Sequence, residues 1–313
     1  MVEQRGKPAL KLFRPRIRQH ATTGIHVTQN VMTIAAVDHE HGRRPRLVNA
    51  ECHALPEGKD AARLLRDAVP STHTPVNLVL DSSQYELLLV EAPRVEPSEL
   101  RSAVRWKVKS LIDFHIDDAV IDVFEIPGQE NRPQGQSMMY VIAARARRIR
   151  ELVDLFEDAD RNLQVIDVAD MAMRNLAALL DDDVRGVAML HLERNHGVIT
   201  ITRQGNLYLS RRLEAGHEAL DAEASEQLVL EVQRSLDYYD SHFSQPPVSS
   251  LRLLPGFAGH GELIDTLADG LDLEVAAFDP QAELDCHAPL PQSELNATLI
   301  AIGGALRREE VSL

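Results

Sequence analysis

A three-strand meander followed by a helix and a further strand occurs twice along this chain. In the first copy, Gly24 to Val27 and Val31 to Val37 are β-rich runs joined by a tight turn at Thr28, Gln29 and Asn30, and Leu47 to Leu55 adds a third. Asp60 to Val69 then shows helical spacing through Ala61, Leu64, Leu65 and Ala68, and Val76 to Leu80 is the unbroken apolar run of a strand covered on both faces. The second copy has Val187 to Leu192, Val198 to Arg203 and Leu207 to Leu213. A helix from Glu226 to Phe243 follows, with the stripe Leu228, Val232, Leu236, Tyr239 and Phe243, and then the strand Leu251 to Leu254. A pattern that returns in this order predicts an internal duplication.

Between the copies the spacing predicts a compact α+β module. It runs through strand Tyr85 to Ala92, helix Pro97 to Ile112, strands Val120 to Ile126 and Met138 to Ala144, helix Arg147 to Ala159 and strand Leu163 to Val168. The expected divisions are a basic tail 1–20, a first half 21–84 completed by 169–184 and a terminal helix Asn296 to Arg307, an inserted module 85–168, and a second half 185–313. A helix over Met171 to Leu180 leads into Asp181 to Asp183, read as a solvated acidic loop. A helix around Leu263, Ile264 and Leu267 and a strand near Val275 complete the second copy.

Charge narrows the function classes. The 313 residues hold 33 basic and 48 acidic side chains, a formal charge of −15. An acidic body repels phosphate backbones, so a broad nucleic-acid face is excluded. The first twenty residues depart from this, with six basic side chains against Glu3 alone. Leu10, Leu12, Phe13 and Ile17 are interleaved with them, a mixture suited either to an anionic membrane surface or to a solubilising arm. No run reaches about eighteen apolar residues and no secretory signal is present, so a cytoplasmic, non-spanning protein is expected. Cys52 and Cys286, far apart in sequence, are expected as buried small hydrophobes in a reducing compartment.

Two meanders flanking an inserted module match the layout of actin-like ATPases. The stretches Gly24-Ile25-His26-Val27-Thr28, Val104 to Pro127, Asp170 to Leu176, Leu228 to Tyr239 and Gly303 to Arg307 resemble the PilM family of type IV pilus assembly proteins, with most likeness to its MSHA-pilus branch. The individual part is Arg105-Trp106-Lys107 through Leu111-Ile112-Asp113-Phe114, then Asp118 to Val120 and Phe124 to Pro127. The resemblance implies an α/β, duplicated actin-like (ribonuclease H-like) fold with an inserted α+β subdomain of the FtsA/PilM type.

The resemblance also locates a nucleotide cleft and shows where this chain departs from it. Active members read Gly-Ile-Asp-Ile-Gly at the first hairpin, where this sequence has His26 and Thr28, followed by Gln29 and Asn30. At the second hairpin, Asp-Ile-Gly corresponds to His191, Leu192 and Glu193, and the Gly-Gly turn under adenine corresponds to Leu254-Pro255-Gly256-Phe257. Magnesium prefers oxygen ligands, which imidazole does not supply, and Pro255 removes an amide donor. ATP and magnesium are therefore disfavoured, either as a decayed cleft kept as scaffold or as one in which protonated histidines hold phosphate. His39, His41, Cys52 and His53 could be gathered into a metal site, but a solvated turn is the simpler reading. No nucleophile, base and acid set is present.

By the same resemblance the partner is the cytoplasmic segment of a PilN-like inner-membrane protein, lying in a groove between the first half and the insert; the pilus assembly ATPase is a further partner. The groove residues by position are Val104, Trp106, Val108 and Ile112 on the helix and Val76, Leu78 and Leu80 on the strand. Apolar residues at helical spacing usually face inward, so each reads as core before groove; Trp106, the only tryptophan, lies off the main stripe and is the first candidate for contact with the peptide. The expectation is a non-hydrolysing adaptor peripheral to the inner membrane. The alternatives are a working ATPase of the same fold and the cytoplasmic part of a general secretion assembly protein of GspL type, which normally continues into a transmembrane helix.

Overall fold

The computed structural model describes residues 21–40, 43–56, 58–69, 71–129, 137–243, 245–286 and 290–308. The basic tail and His41 lie outside the described residues. The first half runs β1 (Ala21–Val27), β2 (Val31–Asp38), β3 (Arg46–Ala54), α1 (Lys59–Ala68) and β4 (Val76–Leu80). The insert follows as β5 (Tyr85–Glu91), α2 (Leu100–Val108), β6 (Ala119–Glu125), β7 (Met138–Arg145) and α3 (Ala146–Asp158). The chain returns through β8 (Leu163–Val168) and α4 (Ala169–Ala177) into β9 (Val187–Leu192), β10 (Gly197–Arg203), β11 (Asn206–Leu213) and α5 (Ala222–Phe243). It ends with β12 (Ser250–Leu254), α6 (His260–Gly270), β13 (Glu274–Ala277), α7 (Pro280–Glu283), β14 (Asp285–Cys286), α8 (Gln292–Ala297) and α9 (Leu299–Ala305).

The repeated pattern becomes two sheets of one design. The first has strand order β14-β3-β2-β1-β4-β8 and the second β11-β10-β9-β12-β13, so each is an antiparallel meander extended by parallel strands. The insert forms its own sheet, β5-β7-β6, with α2 packed through Val104 and Val108 against Met139 and Val141. The stripe expected on α5 is buried as read, through Leu228, Val232, Leu236, Tyr239 and Phe243.

The halves meet through α4 and α9. Helix α9 lies against β1, where a Cβ on Gly24 would fall 1.9 Å from the Ala301 carbonyl oxygen. On its other side, a Cβ on Gly303 would fall 2.3 Å from the Ala172 carbonyl oxygen, so the absence of a side chain is what allows the two helices to cross. Two buried amides secure the crossing: Asn77 Nδ2 donates to Gly304 O at 3.0 Å and Asn175 Nδ2 to Gly303 O at 2.9 Å.

Several expectations are corrected. The helix expected over Pro97 to Ile112 is a short turn followed by α2, and it stops at Val108. Beyond it, Asp113 pairs with Arg145 at 2.9 Å and Phe114 lies under that guanidinium, contacts that draw the chain off the helical path. The terminal helix is broken at Thr298, whose hydroxyl donates to the carbonyls of Glu294 and Leu295. Asp181 to Asp183 is not a solvated loop. Asp183 is buried and accepts from Gly205 N at 2.6 Å, and Asp182 holds Ser250 and Arg252. Cys52 and Cys286 are free and exposed. Among the described residues no helix is long and apolar enough to cross a membrane.

Candidate functional site

The seam between the two related sheets gathers polar groups from three places. The first is the β4–β5 turn. Asp81 caps a single 3-10 turn, accepting from Ser83 N at 3.1 Å, while Gln84 Oε1 accepts from Asp81 N at 3.1 Å. This reciprocal capping box follows from the sequence Asp-Ser-Ser-Gln and fixes where Ser82 points. The second place is the β9–β10 turn, which carries Glu193 and His196. Ser82 Oγ donates to Glu193 Oε1 at 2.6 Å and lies 2.5 Å from His196 Nε2. One hydroxyl thereby ties the first half to the second.

The third place is the strand interior. His26 on β1 is buried, with its Nε2 3.6 Å from Asp81 Oδ2, too long for a hydrogen bond. His191 on β9 is half-buried, but its Nδ1 is fully covered and has no hydrogen-bond partner. Burial, and next the charge of His26, push His191 down to about 4. Burial raises Glu193, with Asp81 adding to the effect, and burial lowers His196, helped by Arg212. Burial also acts to raise Asp81, but the neighbouring His26 imidazole and hydrogen bonds from Ser83 outweigh it and hold the carboxyl well below the usual range. The seam therefore shifts Glu193, His196 and His191 towards their neutral forms and Asp81 towards its ionised form.

The remaining sequence-derived cleft residues are placed around this cluster. Thr28 closes its own turn: its Oγ1 accepts from Val31 N at 3.1 Å and its backbone N–H donates to Val31 O at 3.0 Å, leaving Gln29 and Asn30 exposed at the tip. Pro255 is buried and Gly256 exposed. The following Phe257 stacks on His217, whose backbone N–H donates to Glu193 O at 2.8 Å. Deeper in the seam, Asp170 at the start of α4 accepts from the hydroxyls of Tyr85 and Ser210, and burial raises its carboxyl. Asp81, Ser82, His196 and Asp170 were not singled out as site residues. The capping box was a readable signal for the first two; nothing in the sequence spacing pointed to the others.

These residues do not fit a magnesium-nucleotide centre. The positions matching the family's two carboxylates hold imidazoles. The carboxylates the fold does bring to the seam are engaged, Asp81 by Ser83, Glu193 by Ser82 and Asp170 by Tyr85 and Ser210. The cavity lined by Ser82, Asp170, Ser210 and Arg212 is about 70 Å³, against some 300–1,000 Å³ for an ordinary ligand pocket.

The residues named for a partner groove are divided by the structure. Val104 and Val108 form the core of the insert, and Val76, Leu78 and Leu80 form that of the first half; all five are buried and so line no groove open in this structure. Apolar spacing on α2 and β4 marked core. Trp106 is the opposite case, 78% exposed, with Lys109 Nζ 5.7 Å from its ring centre. Beside it lies a cavity of about 280 Å³ bounded by Arg105, His115 and Ile116, while Ile112 is half-buried nearby in sequence.

Comparison with known proteins agrees with this architecture. Residues 86–227 match the family model described as type IV pilus assembly protein PilM. No curated protein matches the chain by sequence. Among solved structures, the PilM–PilN type IV pilus biogenesis complex is 18% identical and covers 91% of this chain and 97% of its own, with a TM-score of 0.72. The cytoplasmic domain of EpsL, an inner-membrane component of the type II secretion system of Vibrio cholerae, is 12% identical over 92% of this chain and 96% of its own, at 0.52. A protein of Bacteroides thetaiotaomicron with an actin-like ATPase fold is 9% identical over 90% and 95%, at 0.51. The chain thus has the actin-like ATPase fold and is PilM-like across residues 86–227.

Proposed function

We infer that this protein is a non-hydrolysing, actin-like adaptor of a type IV pilus assembly machine, working by binding and not by turnover. The observation that carries this is the Ser82 bridge: where the fold's two halves would grip a nucleotide, the protein's own hydroxyl spans the gap to Glu193 and His196. Neutral His191 and the imidazole of His26 supply no hard oxygen donor beside it. The match to the PilM model and the likeness to a PilM–PilN complex support a PilN-like partner, the cytoplasmic segment of an inner-membrane protein. The residue pattern 105–127 favours the MSHA branch. A cytoplasmic place at the inner face of the inner membrane goes with that partner.

The partner surface is drawn to Trp106. A solvent-facing indole beside a cavity offers a large apolar contact at little entropic cost. It is also the only tryptophan in the chain, so its fluorescence reports this surface alone. Titration with a PilN-like cytoplasmic peptide is expected to shift the emission to shorter wavelength, and Trp106→Ala to weaken retention of the peptide in pull-down. Retention unchanged by that substitution places the groove elsewhere. A melting temperature raised by ATP only when magnesium is present, or steady phosphate release by pure protein, overturns the adaptor reading.

A further inference from the structure

The insert holds a cavity made wholly of its own residues, between α2 and the 3-10 turn Ile116–Asp118. Its volume is about 280 Å³, short of an ordinary cofactor site and enough for one or two side chains of a peptide. Its shape is fixed by Arg105, whose Nη2 donates to Ile116 O at 2.6 Å and whose Nη1 donates to Ala119 O at 3.3 Å. A guanidinium spent on two backbone carbonyls is a wall and not a free charge. Trp106 and Ile116 give the cavity its apolar lining, and the indole is 78% exposed. An indole left in water beside an apolar hollow has the form of an anchor site that lacks its side chain.

The rim decides what stands next to that side chain. Helix α2 and its C-cap carry Arg101, Arg105, Lys107 and Lys109. The first three have carboxylate partners, Asp122 at 3.4 Å, Asp117 at 3.7 Å and Glu91 at 3.7 Å. Among the described residues Lys109 has none, and its ammonium lies 5.7 Å from the centre of the Trp106 ring. His115 adds a second donor. Its Nδ1 accepts from Asp117 N at 3.3 Å, so the proton of the neutral ring sits on Nε2, on a side chain that is largely exposed. Asp117, the carboxylate in the lining, is itself shared between Arg105 at 3.7 Å and His115 at 3.5 Å. The mouth thus presents an unpaired cation and an N–H donor over an apolar floor, the complement of an apolar side chain with a carboxylate beside it. A lipid surface fits less well, because it takes apolar side chains that protrude, whereas this indole borders a hollow.

We propose that this cavity receives a short acidic peptide segment, in which an apolar side chain fills the hollow and an adjacent Asp or Glu pairs with Lys109. The proposal rests on the partner surface placed at Trp106 and adds the chemistry of the segment it takes. The probe is a random heptapeptide library free of tryptophan, selected on the full chain and counter-selected against Trp106→Ala, with affinities then read from Trp106 emission. Selected peptides are expected to carry an apolar residue beside an acidic one. Lys109→Glu is expected to weaken them about tenfold, and exchange of the peptide's acid for Lys to recover most of that loss in the same variant. Trp106 and Lys109 are both exposed, so these variants are expected to fold. Peptides without an acidic preference, affinities indifferent to Lys109→Glu, or no Trp106-dependent peptide at all overturn the proposal. So does a shift of Trp106 emission by phosphatidylglycerol vesicles that matches the peptides and is lost in Lys109→Glu, since the surface then belongs to lipid. A PilN-like segment retained equally by Trp106→Ala overturns only its assignment to this surface, while the selected peptides decide the cavity.

Discussion

Ser82 shows how much one side chain can carry when it lies across a seam. Among the described residues its hydroxyl is the one group joining Glu193 and His196 to the β4–β5 turn by hydrogen bonds, and all three are largely removed from water. Ser82→Ala leaves a buried carboxyl and an imidazole without that partner. A loss of about 1–3 kcal/mol in urea unfolding is expected; an unchanged midpoint would show that water replaces the hydroxyl. His191 gives a pH signature. The unfolded imidazole takes a proton near 6.5, whereas the folded one resists until about 4. Its stabilising contribution is therefore complete above pH 6.5 and lost as pH falls towards 4. The loss is about 2 kcal/mol once the ring's partial exposure is discounted. Relative to the native protein, His191→Leu should gain by that amount between pH 7 and pH 4. Stability curves that stay parallel would mean that His191 protonates freely in the fold.

At the scale of elements, the crossing of α4 and α9 is the feature most sensitive to volume. Gly303→Ala would set a methyl carbon 2.3 Å from a backbone oxygen of Ala172, a contact no rotamer change relieves. The helices must separate, which also lengthens the hydrogen bond from Asn175 to Gly303. A cost of about 1–3 kcal/mol is expected from denaturant unfolding, as for other overpacked cores. Helix α2 teaches a related lesson about legibility. Its apolar spacing correctly implied a buried face, but the same spacing could not say whether that face lined a groove or a core. Val104 and Val108 proved to be core, and off-stripe Trp106 proved to be surface.

Across the whole molecule, Asp170 joins three units that are separate in sequence. It begins α4 after the first sheet, accepts from Tyr85 at the start of the insert's sheet, and accepts from Ser210 in the second sheet. Burial raises its carboxyl, and the two hydroxyls offset part of that effect. Asp170→Ala should cost about 2–4 kcal/mol and broaden the unfolding transition, because removing one member of a buried polar network strands the others. A transition that stays sharp and unshifted would mean that the sheets are held together without this junction.

The chain's periodicities were sufficient to find both meanders, the order of nearly all the long elements and the core stripe of α5, because alternation and helical spacing record which face of an element is buried. Residue types were sufficient to mark His26 and His191 as poor magnesium ligands. The sequence did not reveal the Ser82 bridge or the Asp170 junction, since each joins residues 40 or more positions apart. Nor did it reveal where α2 ends or that the terminal helix breaks at Thr298. Those depend on Arg145, on buried carbonyls and on the closeness of glycine-lined helices. Such contacts come from packing in three dimensions, which no local pattern encodes.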